Sequence, residues 1–211
     1  MVTALDHLIV AASSLADGID YVARATGATP RPGGRHVAMG THNALLRLGE
    51  RVYLEVLAID PQGVKPARPR WFDLDDAAIQ AELLERPRLL AWAARTDDID
   101  GAAARCPIPL GPVTPFARGD YRWRITIPDD GRRPGDGILP ALIQWHVAMH
   151  PADELPDSGV SLAGLAASHP EPDAIRVALA ALGLSAVLPL TRDPRARLAA
   201  VLQTPRGPVS L

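Results

Sequence analysis

Residues 5–27 read LDHLIVAASSLADGIDYVARATG, and this stretch decides the fold. LDHLIV is a short strand, Ser13 and Ser14 are a helix-capping pair, and the helix that follows ends at Gly27. The pattern returns at residues 89–106, LLAWAARTDDIDGAAARC, with an Asp-rich cap. It returns again at residues 161–183, SLAGLAASHPEPDAIRVALAALG, where His169-Pro170 closes the strand and Asp173 stands near the helix start. Strand-like runs follow each helix: THNALLRLG and RVYLEVLAID; then VTPFARG, DYRWRITIP and LPALIQWH; then SAVLPLTR, ARLAAVLQTP and GPVSL. Each unit therefore reads β-α-β-β(-β). The copies start too far apart for a solenoid repeat, so duplicated modules account for them. The expected class is α+β. A first module spans 1–60, and a connecting loop with a short helix, DDAAIQAELL, spans 61–87. A second module spans 88–150, and a third, C-terminal β-α-β-β module spans 151–211, with PADELPDS as its linker.

Composition sets the outer bounds. Apolar residues are 47% of the chain and charged residues 22%, enough apolar material to fill a core. The net charge of −2 leaves no broad basic surface for nucleic acid or anionic lipid. Of 22 basic residues only Lys65 is a lysine, the skew of a GC-rich bacterial coding sequence. One cysteine, Cys106, excludes a disulfide framework and a cysteine zinc site, and fits a reducing compartment. The N-terminal stretch lacks a basic n-region and no apolar run reaches membrane-spanning length, so a cytoplasmic protein is expected.

Alternation along the strands nominates the chemistry. His7 shares a face with Leu5 and Ile9, and Glu55 with Tyr53 and Leu57. A carboxylate and an imidazole on apolar faces are costly unless paired or bound to something. Together they read as an acid/base or metal pair; His7 alone is more often a satisfied core or rim histidine. GGRHVAMGTHNALL, residues 33–46, adds His36 after a Gly-Gly turn and His42 on a strand with Ala44 and Leu46. Both read either as ordinary polar residues or as cavity lining. Arg122, Arg124 and Thr126 share one strand face, either solvated or turned to an anionic ligand. Gln144 and His146 share a face with Leu142, while Trp145 points the other way. No P-loop, G-x-G-x-x-G, H-E-x-x-H or G-x-S-x-G motif is present, so no nucleotide cofactor is expected.

The stretches LDHLIVAASSL, GGRHVAMGTHNALLRLG with YLEVLAIDP, LLAWAARTDDID, YRWRITIP and LPALIQWH with MHPA together resemble the glyoxalase-like domain family. That family belongs to the vicinal oxygen chelate superfamily, beside glyoxalases, bleomycin-resistance proteins and extradiol dioxygenases. The resemblance spans nearly the whole chain. It implies βαβββ modules in pairs, with curved mixed sheets enclosing a cavity. It also implies a divalent metal (Zn, Ni, Mn or Fe) held on the first and last strands. By position those strands offer His7, Glu55 and Gln144. Ala91, or Trp92 with a one-residue shift, stands where the fourth ligand belongs. The implied catalytic pair is Glu55 with His7. The implied substrate-binding residues are Thr41, His42, Asn43, Arg124 and Trp145, with His36 at the rim. The expected activity is a lyase, isomerase or oxygenase acting on a small molecule. The competing expectations are a metal-free binding protein and a purely structural polar network. The third module either packs within the chain or pairs across a homodimer.

Overall fold

In the computed structural model, which describes residues 3–211, β1 (Thr3–Ala11), α1 (Leu15–Thr26), β2 (Arg31–His36), β3 (Thr41–Gly49) and β4 (Val52–Ile59) build the first module. The Ser14 side chain accepts from the Asp17 N–H at the start of α1. Gly27 ends the helix in the left-handed region at φ 81°. After α2 (Ala77–Glu85) come β5 (Arg88–Thr96), α3 (Ile99–Arg105), β6 (Val113–Arg118), β7 (Tyr121–Thr126) and β8 (Ala141–Trp145). The two modules share one eight-stranded sheet, ordered β2-β3-β4-β1-β5-β8-β7-β6. It is joined at its centre by the antiparallel β1–β5 ladder. The sheet curls until its edges meet, and Arg118 of β6 reaches His36 and Asn43 beside β2. Among the described residues no helix is long and apolar enough to cross a membrane.

One strand was not expected from the sequence. RPGGRH, read as a glycine turn before a strand, is itself the edge strand β2. Proline and glycine weaken a central strand but are tolerated at an edge, where one side of the backbone needs no ladder partner.

The curled sheet has two faces. Its convex face carries Leu8, Val10, Leu46, Leu54, Val56, Trp92 and Leu142, packed under Val22 of α1 and Ile99 of α3. The same apolar cluster takes in the C-terminal unit of α4 (Pro151–Glu154), β9 (Ser161–His169), α5 (Pro172–Ala181), β10 (Leu190–Arg192), β11 (Arg197–Thr204) and β12 (Gly207–Ser210), through Leu165, Ile175, Leu179 and Leu202. That unit forms its own sheet, ordered β10-β9-β11-β12, and packs within the chain. The concave face carries Ile9, Ala91, Ala93, Trp123, Ile125 and Ile143. Trp71, Phe72 and Leu74 from the connecting loop close over it.

Candidate functional site

Adjacent residues on a strand normally face opposite ways. At Asp6 and His7 they do not, because the β1–β5 ladder shifts register between Leu5 and His7. Asp6 is fully buried, yet three N–H groups serve it. His7 Nδ1 lies 2.6 Å from Oδ1, while His150 Nε2 and Trp145 Nε1 each lie 3.0 Å from Oδ2. Burial alone would raise its pKa, but the hydrogen bonds and charges of His150 and His7 reverse that and hold the carboxyl well below the usual range. An ionised Asp6 can only accept, so His7 carries its hydrogen on Nδ1 and turns Nε2 to the cavity. That Nε2 stands 3.7 Å from Glu55 Oε2. The His7 ring also stacks on Tyr53, with centroids 4.6 Å apart.

Glu55 is held from one side only. Asn43 Nδ2 donates to its Oε1 at 2.6 Å, leaving Oε2 toward His7. Asn43 is fixed in turn, because its Oδ1 accepts from the Gly34 N–H at 2.8 Å and from Arg118 at 3.1 Å. A Cβ on Gly33 would collide with that same oxygen, so only glycine leaves it in place. Arg118 also reaches His36 Nε2 at 3.3 Å, and Thr41 Oγ1 lies 3.2 Å from His36 Nδ1. Burial lowers the His36 pKa to about 4, against the pull of Glu55, so its ring is neutral and accepts from the guanidinium.

Tyr53, Trp71, Phe72, Trp123, Ile125, Ile143 and Trp145 complete the wall. The room left for water-sized molecules is about 30 Å³. Phe72 and Asp73 both take positive φ, 60° and 58°, a strained backbone for non-glycine residues. Arg133, donating to Asp73 at 2.7 Å, helps to hold that turn.

The structure brings together Glu55, His7, Asn43, His36 and Trp145, with Thr41 behind His36. It separates the other three. His42 falls on the convex side of β3 with Ala44 and Leu46, one residue out of phase with Asn43, and does not line the cavity. Arg124 is convex too, spent on Asp100 at 2.8 Å and Gln144 at 2.7 Å. Gln144 accepts from the Ile99 N–H and donates to the Asp97 carbonyl, capping the start of α3. Its expected place as a metal ligand is therefore corrected: the amide is committed on the opposite face. Sequence reasoning missed Asp6, Arg118, Trp71, Phe72 and the partnership of His150 with Asp6. Strict alternation sets Asp6 opposite His7, which the register shift in β1 overrides, and nothing local marks a loop as a cavity wall.

The donor set does not fit a divalent metal. A good site asks for three or four converging ligands. Among the described residues no group of three or more His, Cys, Asp or Glu is placed to hold one. The second module turns Ala91, Ala93 and Ile143 inward where donors would be needed, so His7 Nε2 and Glu55 lack a third ligand from that side.

Two βαβββ modules sharing one curled sheet around a pocket define the vicinal oxygen chelate class of proteins. The family model described as Glyoxalase-like domain matches residues 5–183, and the chain belongs to that family. A crystal structure of a hypothetical protein from Staphylococcus aureus is 14% identical with TM-score 0.59, covering 86% of this chain and 75% of that one. Methylmalonyl-CoA epimerase from Mycobacterium tuberculosis is 20% identical with TM-score 0.40, covering 67% of this chain and 86% of that one. A Streptomyces coelicolor methylmalonyl-CoA epimerase in complex with 2-nitronate-propionyl-CoA is 18% identical with TM-score 0.44, covering 70% and 100%. The first likeness is one of fold alone. A comparison with curated proteins gave no match.

Proposed function

We propose that this protein is a small-molecule enzyme of isomerase or lyase type that moves a proton on a carbonyl compound, using Glu55 and His7 with no metal in the step. The observation that carries the reading is the buried line from Asp6 through His7 to the open oxygen of Glu55. Glu55 Oε2 takes the proton from the carbon beside the carbonyl, and the C–H electron pair moves into the carbonyl to make an enolate. His7 exchanges that proton with Glu55 and returns it, while Asp6 keeps the imidazole in one orientation and stabilises its charge. Arg118 stands across the mouth as the cation nearest a developing oxyanion.

The test is deuterium uptake from D₂O by a panel of small enolisable carbonyl compounds, followed by NMR. Glu55→Gln and His7→Gln are each expected to lower the exchange rate by roughly 10²–10⁴. Exchange by Glu55→Gln at the wild-type rate would overturn the assignment. A second reading, a binding protein without turnover, draws on the apolar inward face of the second module. It predicts a ligand that binds wild type and Glu55→Gln alike, with no exchange from either.

A further inference from the structure

The chain has four Trp, three Tyr and two Phe. All but Tyr21 and Trp92 gather at one cavity. Tyr53, Trp71, Phe72, Trp123 and Trp145 line it. Phe116 stacks on Trp123, and Tyr121 meets Trp145 edge-on. A core needs no such concentration, since the convex side is filled mostly by Leu, Ile, Val and Ala with Trp92 as its one buried aromatic among the described residues. Within this wall the Trp71 indole is 4% exposed, and its N–H has no acceptor among the described residues. A buried donor left unpaired is costly, so the position calls for an oxygen from outside the chain. Arg118 supplies the second donor. It pairs with neutral His36 and Asn43, and no carboxylate lies within ion-pair distance of it among the described residues.

We infer that the cavity takes a flat, conjugated carbonyl or carboxylate compound, its ring stacked on the tryptophan walls and its oxygen held by the Trp71 indole N–H and the Arg118 guanidinium. The inference rests on the proton-transfer reading for what happens next, and adds to it the class of substrate. A slot lined by Ala91, Leu139 and Ala141 lies behind Trp71 and Phe72, which separate it from the cavity. A ring that occupies both spaces has to displace the Trp71 and Phe72 side chains that part them.

The probes are cinnamate and benzoate, with cyclohexanecarboxylate as a non-planar control, read by calorimetry and by quenching of tryptophan fluorescence. The planar acids are expected to bind at least tenfold more tightly than the control. Trp71→Phe keeps a stacking face and loses the N–H, and should weaken the planar acids by about tenfold. Arg118→Gln, at the mouth, should weaken them by at least as much. Thermal melts establish that each variant is folded, and Arg118→Gln carries the test if Trp71→Phe is not. Equal affinity for planar and non-planar acids, or no effect of either substitution, would overturn the inference. The two proposals fail separately. Binding of planar acids without deuterium exchange sinks proton transfer and leaves the ligand class standing. Exchange on aliphatic carbonyl compounds with no binding of planar acids does the reverse.

Discussion

At Asp6 three N–H groups converge on one carboxylate that solvent does not reach. Asp6→Asn would turn an amide NH₂ toward at least one of those donors. A loss of about 3 kcal/mol is expected in urea unfolding. His7 would lose its fixed orientation, and exchange activity should fall with it. Acid should act through the same cluster. The folded Asp6 carboxyl sits below its unfolded value of roughly 4, so its contribution is whole above that pH and drains away as pH falls further. His36, at about 4 when folded against about 6.5 unfolded, is protonated first in the unfolded chain. Stability should therefore decline as pH drops from about 6.5 to 4, with a slope of at most about 1.4 kcal/mol per unit. His36→Gln is expected to flatten that leg of the curve and leave the lower one, measured by denaturant melts at each pH. A steep leg that survives the substitution would assign it to another group.

Two strands decide how the site is built, and each defeats a simple rule. In β2 the glycines of RPGGRH read as a turn, because their composition is that of one. Their purpose is proximity: Gly33 leaves room for Asn43, and Gly34 for the stem of Arg118. Gly33→Ala should displace Asn43 from Glu55, cost roughly 1–3 kcal/mol of stability and lower activity. Retention of both would show that Asn43 can move without consequence. Strand β1 was legible as far as His7, because period-two alternation holds there for the odd residues. Its register shift was not legible, since a bulge leaves no fixed residue signature. Alternation put His42 and Asn43 on opposite faces of β3 without saying which one meets Glu55, and the structure gives that place to Asn43. The helices and their caps were the plainest part, because Ser14 and Gly27 act within a few residues of chain. Trp71 and Phe72 reach the cavity only through tertiary packing of a long loop, and local sequence carries no trace of that.

Over the whole molecule, one apolar cluster joins the convex face of the large sheet to the C-terminal sheet. The chain should accordingly unfold in a single transition, with urea curves from tryptophan fluorescence and from far-ultraviolet circular dichroism coinciding. Separate transitions would mean that the C-terminal unit is an independent body. The donor geometry gives a second expectation at this scale. Protein purified without a polyhistidine tag should carry no stoichiometric Zn, Ni, Mn or Fe, and adding these ions should leave its melting temperature unchanged. The paired modules also differ in what they face inward. The first offers His7, Glu55 and Asn43, while the loop and the second module offer Trp71, Phe72, Trp123 and Trp145. In the proposed reaction a planar substrate between such walls meets the proton carriers Glu55 and His7 on one side, and on the other π-surface edged by the Arg118 guanidinium. Its two faces are then inequivalent to the protein, so a prochiral carbon protonated there acquires a single handedness, the configuration being dictated by which module kept the acids and bases.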